Sequence, residues 1–388
     1  MFTSSSNKKG NASLSSSIFG EVPLESQNSM FTSSDAYIEA TEKRKQQNQD
    51  ALKLNEKAVK KMKPEVKSRE QIIEDRCSRR NRKESKELLS SITIPILTLD
   101  SNDEELNHGL LKIFTGQCQS IMEASGVLIL NSTKDASLIP SSIMTSMQNQ
   151  SSYIEQKICN KLDEKGIVYH VEETEAKRDI HACSTKNHLQ KEQQHSFKFD
   201  EVASRCLGRL DIRYKMSEEP FSNTEVVDNK ILMSVVRSLL GNDAVLLYAG
   251  LILSFPSSSD QPWHQDGLML FSQDELPEDV HLPAYALNVF IPLADVTEDM
   301  GPTEFSVGSH RAKEGEKAMQ HILNQQEYKA NIIGPTLKRG DALIYDYRIC
   351  HRGTQNLSTD KTRPMLYLMY ARPWFREHIN FGQEKLFE

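Results

Sequence analysis

The chain has 388 residues with 38% hydrophobic and 26% charged side chains and a net charge of −7, which suits a folded body carrying a polar extension. The charge is uneven: residues 1–88 hold 18 Lys/Arg against 13 Asp/Glu, and the remainder 29 against 41. No overall basic field calls for nucleic acid, and no run approaches the roughly 20 apolar residues of a membrane helix. The six cysteines form no CxxC pair, so reduced thiols are expected rather than a disulfide framework or a zinc module. Residues 1–30 lack a signal-peptide core. A soluble, cytoplasmic protein is expected, and the basic clusters described next leave a nuclear address open.

Residues 1–40 are rich in Ser, Thr and Asn and are expected to be disordered. Residues 41–88 are rich in Lys, Glu, Gln and Arg and read as a loose, solvated helix around Pro64, with basic clusters at Lys43-Arg44-Lys45 and Arg79-Arg80-Asn81-Arg82-Lys83. A solvated face is the simplest account of these charges, and no partner for the tail is legible. The expected organisation is therefore a tail over 1–88 and a domain over 89–388, with a helical lead-in (100–243) and a β core (244–375).

Ile92 to Leu99 read as extended, 103–124 as an amphipathic helix, Gly126 to Leu130 as a strand and 140–165 as helical. Residues 170–198 carry His170, His181, His188 and His195 in a polar setting and read as a loop or insertion. Ser222-Asn223-Thr224-Glu225 is a capping box opening a helix that runs to Gly241. Strands then follow at Ala244–Phe255, His264–Phe271, Ala284–Leu293, Thr303–Gly308, Asn331–Leu337, Asp341–Arg348 and Met365–Ala371, with one helix at about 312–326. Helices leading into an all-β core indicate a barrel or jelly roll with flanking helices.

On a strand, His264 and Asp266 share one face, and an imidazole beside a carboxylate can grip one side of a divalent ion. His351, at the end of a later strand, can complete a two-histidine, one-carboxylate set, which leaves positions open and suits non-haem Fe(II) oxygen chemistry. HxD alone is weak, and His170-Val171-Glu172 is a decoy of similar form in a more solvated context. Arg363 follows His351 by twelve residues, across a polar turn that returns the chain beside it. Its planar fork suits the far carboxylate of a metal-chelated dicarboxylate; without the metal set, an ordinary surface arginine would be the plainer reading. His310, in a Gly-Ser-His turn, is expected to stabilise a loop, and Cys350 to pack.

Trp263 to Gly267, Asn288 to Leu293, Gly301 to Phe305 with Gly308-Ser309-His310, and His351-Arg352-Gly353 followed by Arg363-Pro364 together resemble the phytanoyl-CoA dioxygenase family. The resemblance spans roughly residues 200–375, with a thinner likeness from 120. It implies a double-stranded β-helix, a mainly β jelly roll. It implies His264, Asp266 and His351 as Fe(II) ligands, Arg363 as the 2-oxoglutarate clamp, and Gln265 and Asn288 as positions that can contact this co-substrate. The implied reaction consumes O2 and 2-oxoglutarate, hydroxylates a C–H bond of a small-molecule or acyl substrate, and releases succinate and CO2. Asp266 stands where halogenating relatives carry a small residue, so hydroxylation is the expected outcome. The alternatives are a jelly-roll metal-binding protein without oxygenase activity and a cupin-like metal enzyme that does not use 2-oxoglutarate.

Overall fold

Alternating side chains sort the β core into two faces. Along Ala286–Pro292 (β6), Leu287, Val289 and Ile291 belong to one apolar cluster, while Asn288 and Phe290 turn to the other side. The same alternation runs through Val245–Ser254 (β5), Ala342–Asp346 (β9) and Arg363–Ala371 (β11), as the two-residue period of a strand requires. The structure is a computed structural model that describes residues 67–98, 104–133, 136–170, 196–271, 275, 277, 280–323, 331–377 and 381–387. All lie in a unit spanning Pro64–Glu388. The expected 1–66 part of the tail and most of the 170–198 loop lie outside the described residues.

The remaining strands are β1 (Thr93–Pro95), β2 (Val127–Asn131), β3 (Val202–Cys206), β4 (Arg209–Ile212), β7 (Glu304–Ser306), β8 (Ile332–Ile333) and β10 (His351–Arg352). The large sheet runs β1-β2-β9-β6-β11-β5-β4-β3, and β10-β7-β8 form a small one. Pairing is antiparallel except for β1 with β2. A large and a small sheet facing one another across an apolar cluster that includes Phe305, Ile333, Tyr345 and Met365 make the jelly roll.

Helices cover the outer face of the large sheet. They include Glu104–Ser125 (α3), Ser141–Glu164 (α4) and Lys230–Leu240 (α6). Buried Phe114, Cys118, Met122, Ile154, Ile158, Val236 and Leu240 share one apolar cluster there with the strand residues Leu287, Val289 and Ile291. The short helix Thr224–Val227 (α5) is capped by Asn223, whose side chain accepts from the Glu225 amide, and α6 is capped separately by Asn229. The single helix expected from Ser222 onward is therefore two, because Asn229 takes the Ile231 and Leu232 amides and restarts the turn.

Two further expectations are corrected. The strand expected over His264–Phe271 is reduced to one bridge, His264 with His351. Beyond it the Gly267 amide donates to the Tyr347 carbonyl, and Leu268, Leu270 and Phe271 stand exposed. The residues read as the end of a solvated tail instead form Arg69–Asn81 (α1) and Lys83–Ser91 (α2), docked on the body. Ser68 and Gln71 make a reciprocal capping box that starts α1. Arg76 is buried and donates to the carbonyls of Glu298 and Gln355, at 2.9 and 3.1 Å. Arg79 pairs with Glu304 and Arg80 with Glu298. The body therefore begins before the boundary expected at residue 88. Among the described residues no helix is long and apolar enough to cross a membrane.

Candidate active site

His264 and His351 are joined by the backbone before they are joined by chemistry. The His264 amide donates to the His351 carbonyl (3.0 Å) and the His351 amide to the His264 carbonyl (2.9 Å). This reciprocal pair sets the two imidazoles side by side, ring centroids 4.4 Å apart. Asp266, two residues on, brings its carboxylate to both: Oδ1 is 3.7 Å from His264 Nε2, and Oδ2 is 3.7 Å from His351 Nε2. One potential ligand atom from each residue lies within 4.8 Å of the others, and this is the group of that kind found among the described residues. His170 packs near Tyr169 and Phe255 instead.

The polar contacts prepare these atoms to bind a cation. His264 Nδ1 faces the Pro262 carbonyl at 2.8 Å, and His351 Nδ1 faces the Ile349 carbonyl at 3.1 Å. A carbonyl can only accept, so each Nδ1 carries a proton, and Nε2 is the nitrogen turned toward the Asp266 carboxylate. Burial pushes the His351 imidazole down to about 4, which keeps it neutral. Asp266 Oδ2 accepts from Asn288 Nδ2 (2.8 Å) and from the Tyr345 hydroxyl (3.0 Å). Burial, and then the nearby Asp266 charge, raise Tyr345 well above the usual phenol value, so it remains a donor.

The triad lines a cavity of about 410 Å³, with Arg363 and Arg209 at one end and Arg213, Tyr248 and Glu377 among its other lining residues. Arg363 is 3% exposed. It donates to the Ser254 hydroxyl (3.0 Å) and the Met300 carbonyl (3.4 Å), and its Nε has no partner. Burial, and then the charges of Arg209 and Arg76, hold its guanidinium well below the usual value. Arg209 is buried too and, among the described residues, donates to neutral acceptors: Ser254, Gln261 and the Thr354 carbonyl. Among the described residues, no carboxylate is bonded to either guanidinium at this end of the cavity. Other nearby arginines are already engaged. Arg352 pairs with Glu304, and Arg372 donates to the Ala284 and Leu239 carbonyls.

The six residues singled out from the sequence, His264, Asp266, His351, Asn288, Gln265 and Arg363, all line this cavity. Asn288 reaches Asp266, whereas the Gln265 amide donates to the Arg348 carbonyl and so is held by the backbone. His310 is buried, with Nε2 near the Glu123 carbonyl. Cys350 is buried too, and its backbone amide donates to the Ser309 hydroxyl oxygen. Sequence reading missed Tyr345, Arg209 and Arg213. A signal for the last two was present, since Arg209, Asp211 and Arg213 alternate with Leu210 and Ile212.

A jelly roll with a His-x-Asp and a distal His beside a buried arginine that, among the described residues, has no acidic partner has the frame of a 2-oxoglutarate-dependent dioxygenase. The family model for phytanoyl-CoA dioxygenase matches residues 136–365, and the chain belongs to that family. Among curated relatives, "Dioxygenase easH" from Epichloe festucae var. lolii is 31% identical over 128 residues, covering 31% of this chain. The chain spans 60% of that relative's length. Among solved structures, AviO1 from Streptomyces viridochromogenes is similar with a TM-score of 0.42 and 13% identity, covering 72% of this chain and 99% of that one. HygX from Streptomyces hygroscopicus, with nickel, 2-oxoglutarate and hygromycin B bound, has a TM-score of 0.40 and 13% identity, covering 69% and 94%.

Proposed function

We propose that this chain is an Fe(II)- and 2-oxoglutarate-dependent hydroxylase of a small molecule, with His264, Asp266 and His351 as the iron ligands and Arg363 as the clamp for the co-substrate's C5 carboxylate. The observation that carries the reading is Arg363: a buried guanidinium with an unpartnered Nε, in the same cavity as the triad. A metal held only for structure would need no such cation. Two imidazoles and one carboxylate are the donor set of a facial triad with open positions.

Iron and 2-oxoglutarate, when bound, supply the oxygen activation that hydroxylates a C–H bond, with succinate and CO2 released. The chain's own residues do the rest. Asn288 and Tyr345 hold Asp266 Oδ2 by two hydrogen bonds, which leaves Oδ1 directed toward the His264 side. The Pro262 and Ile349 carbonyls fix the imidazole tautomers. Arg363 and Arg209, sharing the Ser254 hydroxyl, set the orientation of the oxo acid by receiving its far carboxylate end. A cavity of about 410 Å³ has the size of a small-molecule site.

The test is anaerobic titration with Fe(II) and then 2-oxoglutarate, followed by the charge-transfer absorbance of the chelate. Arg363→Leu is expected to leave Fe(II) binding intact. Removing one partner of a buried charge pair costs about 2–5 kcal/mol, so 2-oxoglutarate affinity should fall roughly 30- to several-thousand-fold. Equal affinity in the variant refutes the clamp. Failure of the parent to bind 2-oxoglutarate refutes the function.

A further inference from the structure

We propose that Arg213 anchors an oxyanion on the substrate, so that the site takes a small organic acid, either a carboxylate or a phosphate monoester. The proposal rests on the oxygenase reading of the cavity and adds the class of molecule that fills it.

The Arg213 guanidinium lies between two aromatic rings, 4.0 Å from the Tyr248 centroid and 3.9 Å from that of Phe381. The two rings take up its flat surface, which leaves its N–H edge for bonding. Nε is buried without a partner, and the polar neighbour is the Tyr367 hydroxyl. The nearby acids are directed elsewhere. Asp211 is held by Arg205 at 2.6 Å and by the Tyr367 hydroxyl at 3.0 Å, and Glu377 accepts from the Tyr347 hydroxyl at 2.6 Å. Among the described residues, no carboxylate forms an ion pair with Arg213. A guanidinium pinned by two rings has little rotamer freedom left to lose, which favours binding of a rigidly placed anion.

Its place in the cavity separates it from the co-substrate end. Arg209 pairs across β5 with Ser254, which pairs with Arg363. Arg213 is four residues further on, roughly 13 Å along the strand direction. It stacks on Tyr248, which pairs with Met369, which in turn pairs with Asn288, the residue bonded to Asp266. Arg213 therefore stands at the level of the triad, across the cavity from it. An acid group held there leaves the body of the molecule between the cation and the metal position.

The experiment uses the full chain loaded with Zn(II), a redox-inert stand-in, and saturated with 2-oxoglutarate. Phenylacetate, phenyl phosphate and the neutral phenylacetamide are titrated by calorimetry, and the Arg213 Nε–H resonance, identified by its loss in Arg213→Lys, is followed by NMR. At least one acid is expected to shift that resonance and to bind about 10- to 100-fold more tightly than the amide, the usual worth of a hydrogen bond to a charged group. Arg213→Gln should erase the preference while 2-oxoglutarate affinity stays the same. Arg213→Lys, which keeps the charge, should retain part of it and covers the case in which the glutamine variant does not fold. The stronger acid identifies the headgroup. The proposal is overturned if acids and amide bind alike, if no acid moves the Arg213 resonance, or if the preference survives in Arg213→Gln. If 2-oxoglutarate itself does not bind, the oxygenase reading fails instead.

Discussion

Glu304 joins the N-terminal arm to the metal site, and removing its charge should show this. Its carboxylate, 7% exposed, meets Arg352 at 2.7 Å on one side and Arg79 of α1 at 2.9 Å on the other. Arg352 directly follows His351 and is the register partner of Glu304. Glu304→Gln keeps the shape and removes the charge from between two cations. Breaking a buried ion pair costs about 3–5 kcal/mol, but the Arg79 side chain is 41% exposed, so the lower end, about 3 kcal/mol, is expected. With a urea slope of roughly 3 kcal/mol/M, the midpoint should fall by about 1 M. The same substitution in a chain starting at residue 92, which lacks Arg79, should cost less, because part of the interaction is already gone. Equal costs in the two backgrounds would refute the claim that the arm acts through Glu304, and a shift within about 0.5 kcal/mol would refute the buried pair.

Asn288→Ala and Tyr345→Phe should each weaken metal binding about 10- to 100-fold, as loss of a group orienting a ligand does; anaerobic Co(II) titration checks this, and unchanged affinity would count against the Asp266 arrangement. His310 is pushed down to about 4 by burial, against an ordinary 6.5. The unfolded chain therefore takes up this proton first, so stability should be full above pH 6.5 and decline as the pH falls toward 4. Urea midpoints across that range should show a smaller decline in His310→Gln. Gly301→Ala should destabilise by at least about 1 kcal/mol, since φ is +76° and a Cβ would press on the Thr354 and Gln355 carbonyls; thermal melting measures it.

The grouping of His264, Asp266 and His351 was legible because a two-residue spacing and a later histidine at a strand end can be read from the sequence, and runs rich in Val, Ile, Leu and Tyr marked β5, β6, β9 and β11. What was not legible depends on partners distant in sequence. Arg76, Arg79 and Arg80 look like any solvated basic cluster, and only Glu298, Glu304 and the Gln355 carbonyl, more than 200 residues away, turn them inward. The Lys/Glu/Gln/Arg-rich stretch was read as a loose solvated helix, and the capping box of Ser68 and Gln71 that starts α1 went unread; even a cap announces a helix without saying where it docks. The His264–Phe271 strand failed because its apolar residues serve an exposed loop rather than a sheet face. Arg363 could be placed near the triad from its distance to His351, but that no acid among the described residues pairs with it is a property of the packed cavity.

The reciprocal main-chain pairing of His264 with His351 implies that folding, rather than the ion, assembles the ligand set. The two imidazoles then form a single rigid unit whose spacing is fixed before any metal arrives. The main-chain pairing and the Nδ1 contacts place both imidazoles, so an ion's affinity there should owe little to reorganisation. It should also be nearly insensitive to destabilising substitutions elsewhere until the fold itself melts. A one-residue deletion between Pro262 and His264 would do what no conservative side-chain change can: turn the His264 imidazole to the opposite face and dissolve the centre as a whole.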